Sequence, residues 1–326
     1  MPSVKTCPDC GHVFDGLGAG HTVSRKQAQQ TWDNLRDVQQ DMCRFLYRHR
    51  LATTLQLANA FFTANEERHR KNTAKNHLNH LINVGLVQRL DGDGRHHNRA
   101  FYTLTDAGVF CCQAEEKMGG CNVKRIKTLR ASELLDSQKW KHHSYIVDVM
   151  ASFSAAERRG DGTLLDYRGD GDTRFAFPFL GSTRRLQPDS MFTWSSGGKA
   201  YTAFLELENR HASFADVENK IRKYVMMESA GSSRGDYFRK TLGVNQFPPV
   251  LIVVVHSNEL PGMRQAVLRG VLGASCGTLQ DLAKRVVIGL AALDDVVDIG
   301  AQGECWECPL QGTGRLHTLD EVFGLC

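Results

Sequence analysis

The longest apolar run in the chain, PPVLIVVV at residues 248–255, is eight residues long. It is far short of the roughly 20 residues that cross a bilayer. Its length suits a β-strand, and because successive side chains of a strand point to opposite faces, both faces of this one must be covered. Helical periodicity on either side of the run supplies the cover, with helices expected at 132–159, 213–227 and 260–272. Further strands are expected at 163–167, 174–179, 190–194, 201–208 and 286–290. Strands alternating with helices predict an α/β sandwich built on a mixed sheet. Hydrophobic residues make up 41% of the 326, enough to fill such a core.

The first 130 residues read differently. They hold 19 Lys/Arg against 12 Asp/Glu, whereas residues 131–326 hold 21 against 24. A basic front joined to a mildly acidic back points to a polyanion partner for the front. Ser24 is placed to cap a helix carrying Trp32, Leu35, Val38, Met42, Phe45 and Leu46, and Thr53 or Thr54 to cap a shorter one. A third helix is expected over 66–84, then LVQRL, the turn DGDGRHHN and AFYTLT. Three helices and a hairpin follow the order of a winged helix-turn-helix, and the phrase LINVGLVQRL...RAFYTLTDAG resembles that family. The resemblance implies double-stranded DNA as partner, with the third helix in the major groove and the wing on the backbone. The residues offered are Arg68, Arg70, Lys71, Asn72, Lys75 and Asn76 on the helix, and Arg95, His96, His97 and Arg99 on the wing. The alternative is a winged helix used for protein contact. The expected division is a short N-terminal segment over 1–22, the winged helix over 23–130 and the sandwich over 131–326.

The stretch LQPDSMFTWSSGGKAYTAFLELENRHASFADVENKIRKY carries the chemistry. SSGG predicts a hairpin turn, and Glu206 and Glu208, two apart on one strand, share a face. Pairing about that turn brings Asp189 and Glu206 to the same end of the hairpin. Three converging carboxylates repel one another, a cost that a divalent cation removes, and hard oxygen donors suit Mg²⁺ or Mn²⁺. Pro188-Asp189, a spacer, then Glu206-x-Glu208 resembles the PD-(D/E)xK nucleases, with glutamate where lysine is usual and Lys220 on the next helix as a displaced ammonium. Taken with the preceding winged helix and the segment HHSYIVDV at 142–149, this order resembles the replication-relaxation family, plasmid mobilisation relaxases related to restriction endonucleases. The resemblance spans roughly 30–260. It departs where members read acid-x-Asp-Arg-Gly-Thr and this chain reads Glu206-Leu207-Glu208-Asn209-Arg210-His211.

That resemblance implies metal-dependent, strand-specific nicking of DNA at an origin of transfer, with a mobilisation accessory or coupling protein as a further partner. Asp189 and Glu206 would hold the metal, Glu208 would be ligand or base, and Lys220 would meet the phosphate. His143 is a candidate for the rim. No His-hydrophobic-His motif accompanies Tyr224, so tyrosine is expected to pack or to touch phosphate. Two Cys-x-x-Cys pairs, Cys7/Cys10 and Cys305/Cys308, have the spacing of a structural zinc site. The N-terminus lacks a secretory pattern, and a cytoplasmic location is expected. The rival readings are a non-catalytic DNA-binding mobilisation accessory protein or repressor on a degenerate nuclease fold, a dimeric nuclease making double-strand breaks, and a protein-interaction module.

Overall fold

The computed structural model describes residues 5–6, 13–14, 24–63, 66–91, 100–118, 139–169, 172–209, 213–232, 234, 237–312 and 315–325. Strands β1 (Lys5–Thr6) and β2 (Val13–Phe14) pair near the N-terminus. The front half continues with α1 (Arg25–Asp33), α2 (Asp37–His49), β3 (Ala52–Thr53), α3 (Thr54–Phe61), α4 (Glu67–Asn83), β4 (Val87–Asp91), β5 (Ala100–Leu104) and α5 (Asp106–Met118). The helix expected from Ser24 onward is two helices. Asn34 closes the first, and Arg36, in an extended conformation, opens the second, its backbone N–H held by the side chain of Gln39. Thr53 caps α3 as expected, in a reciprocal box with Gln56. Strands β3, β5 and β4 form a small antiparallel sheet in that order.

The back half comprises α6 (Lys139–Arg159), β6 (Thr163–Arg168), β7 (Phe175–Phe179), β8 (Ser182–Leu186), β9 (Ser190–Ser196), β10 (Lys199–Glu208), α7 (Phe214–Ser232), α8 (Tyr237–Leu242), β11 (Val250–Val254), α9 (Leu260–Leu272), α10 (Leu279–Ala283), β12 (Ile288–Ala292), α11 (Leu293–Asp298), β13 (Trp306–Glu307), β14 (Leu316–His317) and α12 (Leu319–Gly324). Seven strands make one mixed sheet in the order β14-β13-β12-β11-β10-β9-β6. Strands β10, β11 and β12 run parallel, and β9 and β6 antiparallel to their neighbours. The apolar run forms β11, buried along its whole length at the sheet centre. One core lies between this sheet and α7 with α9, and a second lies on the other face beneath α6. The expected strand at 174–179 is not part of the sheet; β7 pairs only with β8, a hairpin whose Phe175, Phe177 and Leu186 pack into the α7 core. No helix of the described residues is long and apolar enough to cross a membrane.

Helix α6 has two apolar faces. Ile146, Val149, Met150 and Phe153 pack on the sheet, while Val147 and Ala151 belong to the core of the front half. The seam between them is hydrogen-bonded through buried Gln56, whose amide donates to the Ser144 carbonyl at 2.8 Å and to Asp148 Oδ1 at 2.9 Å. Beside it, Arg158 of α6 reaches Asp41 Oδ2 at 3.1 Å and lies over the Phe61 ring. Gln56→Ala removes a buried donor and half of the α3 cap together. A loss of about 1–3 kcal/mol in urea unfolding is expected, with a single transition retained; an unchanged midpoint would mean that the seam carries no stability.

Candidate functional site

Ser195 to Gly198 turn the chain back on itself. Gly197 and Gly198 both have positive φ, +56° and +77°, the combination a two-residue hairpin turn needs and that side chains with a Cβ resist. The turn sets the register: Lys199 pairs with Ser196 and, six rungs on, Leu205 with Ser190. One rung further, Asp189 comes beside Glu206. Period-two alternation sends Leu205 and Leu207 into the core under α6 and leaves Phe204, Glu206 and Glu208 on the α7 face. The acids therefore stand at the carboxyl end of β10, alongside the end of parallel β11, where open α/β sheets place their ligands.

Helix α7 completes the group. Lys220 Nζ donates to Glu206 Oε2 at 3.0 Å and to Glu208 Oε1 at 2.6 Å, and the Tyr224 hydroxyl, one turn on, donates to Glu206 Oε1. Asp189 Oδ2 accepts the backbone N–H of Leu207 at 2.8 Å, and its Oδ1 lies 3.0 Å from His142 Nε2 on α6. Exposure sorts these residues. The side chains of Glu206 and Glu208 are 1% and 5% exposed, whereas those of Lys220, His142 and Asp189 are 32%, 33% and 21% exposed. The glutamates form the floor, and ammonium, imidazole and aspartate form a solvent-facing rim.

Three carboxylates face one ammonium, and the electrostatics follow. Burial pushes the Glu206 carboxyl up to about 8; Lys220 opposes the rise and the Asp189 charge adds to it. Burial works against the Lys220 charge, yet Glu206, Glu208 and Asp189 outweigh it and hold the ammonium above the ordinary lysine value. Asp189 also suffers desolvation, but its contact with His142, helped by Lys220 and the Leu207 amide, keeps it below the usual aspartate range. Tyr224 is wholly buried, and burial followed by the Glu206 charge pushes its hydroxyl up. Tyr224 therefore supports Glu206 and is out of reach of a phosphate, contrary to one of the two roles expected for it.

Asp189, Glu206, Glu208 and Lys220 are thus brought together from two strands and a helix. His143 is not part of the group: its Nε2 meets the His49 carbonyl at 2.6 Å, toward the front half. His142 takes the rim position. Helical spacing could have separated the two, because His142 lies four residues before Ile146 on the sheet-facing side and His143 four before Val147 on the other.

A divalent cation fits this group in donor chemistry and in charge. The donors are hard oxygens, and three carboxyl groups stand within electrostatic reach of the one ammonium. Among the described residues, however, no cluster of three or more His, Cys, Asp or Glu is spaced as a ready-made cage. The Lys220 ammonium holds the place between Glu206 and Glu208, and both Glu206 oxygens are hydrogen-bonded, to Lys220 and to Tyr224, so a metal bound by Asp189 and Glu206 would have to displace one of these contacts. Cys305 and Cys308 are both buried in the core beneath α6, and burial raises the Cys305 thiol to about 12. Cys7 and Cys10 lie outside the described residues, as do Arg95 and Arg99 of the expected wing. On α4, Arg68, Asn72 and Lys75 are exposed, Arg70 is half-buried, and Lys71 is paired with Glu67.

A model of the family described as Replication-relaxation matches residues 43–237. No curated protein matches the chain. A solved structure described as restriction endonuclease FokI bound to DNA is similar at 15% identity and a TM-score of 0.28, over 90% of this chain and 50% of that one, so the chain spans half its length.

The Glu206 carboxyl, near 8 in the fold against 4.5 in its ordinary state, binds its proton more tightly when folded. Its contribution to stability is complete below about pH 4.5 and is lost as the pH rises toward 8. Glu206→Gln, neutral throughout, is expected to gain on the wild type between pH 5 and pH 9 by on the order of a few kcal/mol in urea unfolding. A stability difference that stays constant over that range would contradict the assignment.

Proposed function

The chain belongs to the replication-relaxation family, and from that premise we propose that it is a metal-dependent DNA nickase acting on one strand at an origin of transfer. Family membership supports a DNA-processing role. The observation that carries the finer reading is the floor of two buried glutamates bridged by a partly exposed lysine, with Asp189 beside them at the strand ends. Mg²⁺ or Mn²⁺ would be held by Asp189 and Glu206. Bound there, such an ion supplies Lewis acidity toward a phosphoryl oxygen and neutralises developing negative charge.

The chain's own residues do the rest. Lys220 is the rim cation that meets the scissile phosphate, and its tie to Glu206 and Glu208 holds the ammonium in place before substrate arrives. Asp189 is held by the Leu207 amide and by His142, so its free lone pairs point along a defined direction. Tyr224 fixes the rotamer of Glu206. Tyr224 is buried and water is taken as the nucleophile: its oxygen bonds to phosphorus as the bond to the leaving sugar oxygen breaks, its proton is released to solvent, and the departing sugar oxygen takes one up from solvent. In the front half, helices α2 to α4 with β4 and β5 are read as a winged helix that grips the duplex through α4.

Supercoiled plasmid carrying the cognate origin, incubated with Mg²⁺ or Mn²⁺, is the test. Wild-type protein is expected to give open circles, and Lys220→Met and Glu206→Ala to slow nicking by about 100-fold or more. Equal nicking by wild type and Glu206→Ala would remove the catalytic assignment. A second reading, a non-catalytic DNA-binding accessory protein, is favoured by Glu208 standing where the nuclease motif has lysine. It predicts origin binding with no metal dependence and no cleavage; linear product would point instead to double-strand breaks.

A further inference from the structure

Helix α4 carries four asparagines, Asn72, Asn76, Asn79 and Asn83, spaced by four, three and four residues. At 3.6 residues per turn that spacing lines them up in one narrow stripe. The opposite side of the helix is the apolar one, where Ala74, Leu78 and Leu81 are buried. All four asparagines are exposed, and none takes part in a hydrogen bond among the described residues. Arg68 and Lys75 lie along one edge of the stripe, exposed and without an ion-pair partner among the described residues.

This is a poor way to build a helix for its own sake. Asparagine is among the weaker helix formers because its short amide competes for backbone hydrogen bonds. A solvated helix face is ordinarily made of Lys, Glu, Gln or Ala. Four asparagines in one row, each with a free amide, break the local rule in the same place four times, and such breaks mark sites of function. A carboxamide pairs its donor and acceptor with a partner that presents an acceptor beside a donor. In the major groove that partner is adenine, through N7 and the N6 amino group.

We propose that the asparagine row of α4 reads adenines in the major groove, so that the DNA site of this protein contains an adenine-rich tract facing the helix. The inference rests on the front half binding duplex DNA. Asn72, Asn76 and Asn79 span about 10 Å along the helix at 1.5 Å per residue. At about 3.4 Å per base step that is three steps, so three adenines within four or five consecutive pairs is the expected footprint. Arg68 and Lys75 lie along one edge of the row, where phosphates on that side of the groove are met.

The test is selection of full-length protein on a duplex pool with a randomised centre, followed by anisotropy titrations on the selected duplex. The expected consensus holds three adenines within a five-pair window. Replacing those adenines by 7-deazaadenine, which removes N7 and leaves pairing intact, is expected to weaken wild-type binding by about tenfold or more. The Asn72→Ala/Asn76→Ala/Asn79→Ala protein is expected to bind the natural and the 7-deaza duplex alike. Exposed Asn→Ala changes favour the helix, so its circular dichroism and melting temperature serve as the folding control. A consensus without the adenine tract, or a triple variant that still discriminates between the two duplexes, would overturn the proposal. If the wild type showed no salt-dependent duplex affinity, the DNA reading of the front half would fall and this inference with it. Salt-dependent binding without adenine preference would overturn this inference alone.

Discussion

Two carboxylates are carried into the sheet face on Glu206 and Glu208, and one ammonium, Lys220, reaches both. That ratio governs the region around it. Moving isolated carboxylates out of water costs several kcal/mol each unless they are paired and hydrogen-bonded. The fold answers with Lys220 at the right turn of α7, with the Tyr224 hydroxyl on the remaining side of Glu206, and with close packing of α7 against α9. At Gly270 a Cβ would meet the Glu218 carbonyl at 2.8 Å, so the approach of α9 that holds α7 in place depends on glycine there. The compensation is incomplete, since a third carboxylate, Asp189, lies within electrostatic reach. Burial and that charge together raise the Glu206 carboxyl to about 8, so its ionised form is disfavoured in the fold.

Helix α6 ties this site to the front half. Its consecutive histidines point opposite ways, His142 to Asp189 and His143 to the His49 carbonyl. Its apolar stripes do the same, one on the sheet and one on the core beneath α3. The element that positions the rim of the acidic group is therefore the element on which α3 rests. A shared helix holds the two regions in a defined relation at this seam.

Much of this was legible in the amino-acid sequence, for identifiable reasons. The β9–β10 hairpin was readable because SSGG supplies the positive-φ turn and the flanks alternate with period two; the turn then dictates the Asp189–Glu206 adjacency. Strand β11 was readable because an eight-residue apolar run has one comfortable home. What escaped depends on partners distant in the chain. The separation of β7 and β8 from the main sheet is decided by packing against α7, which no local pattern encodes. The two-residue strands β13 and β14 at the sheet edge are too short to leave a periodic signal. The break between α1 and α2 hides within a continuous apolar spacing from Trp32 to Leu46. Lys220 was recognisable as a candidate cation, but its simultaneous contact with both glutamates arises only when α7 folds back over β10.

Anomalous diffraction from crystals of the full chain soaked in Mn²⁺ addresses the cation most directly, because it reads occupancy independently of any cleavage. The account predicts a manganese peak in contact with Asp189 and Glu206, abolished in Glu206→Gln. Crystals that take up manganese elsewhere or not at all, with Lys220 still bound to both glutamates, would contradict it.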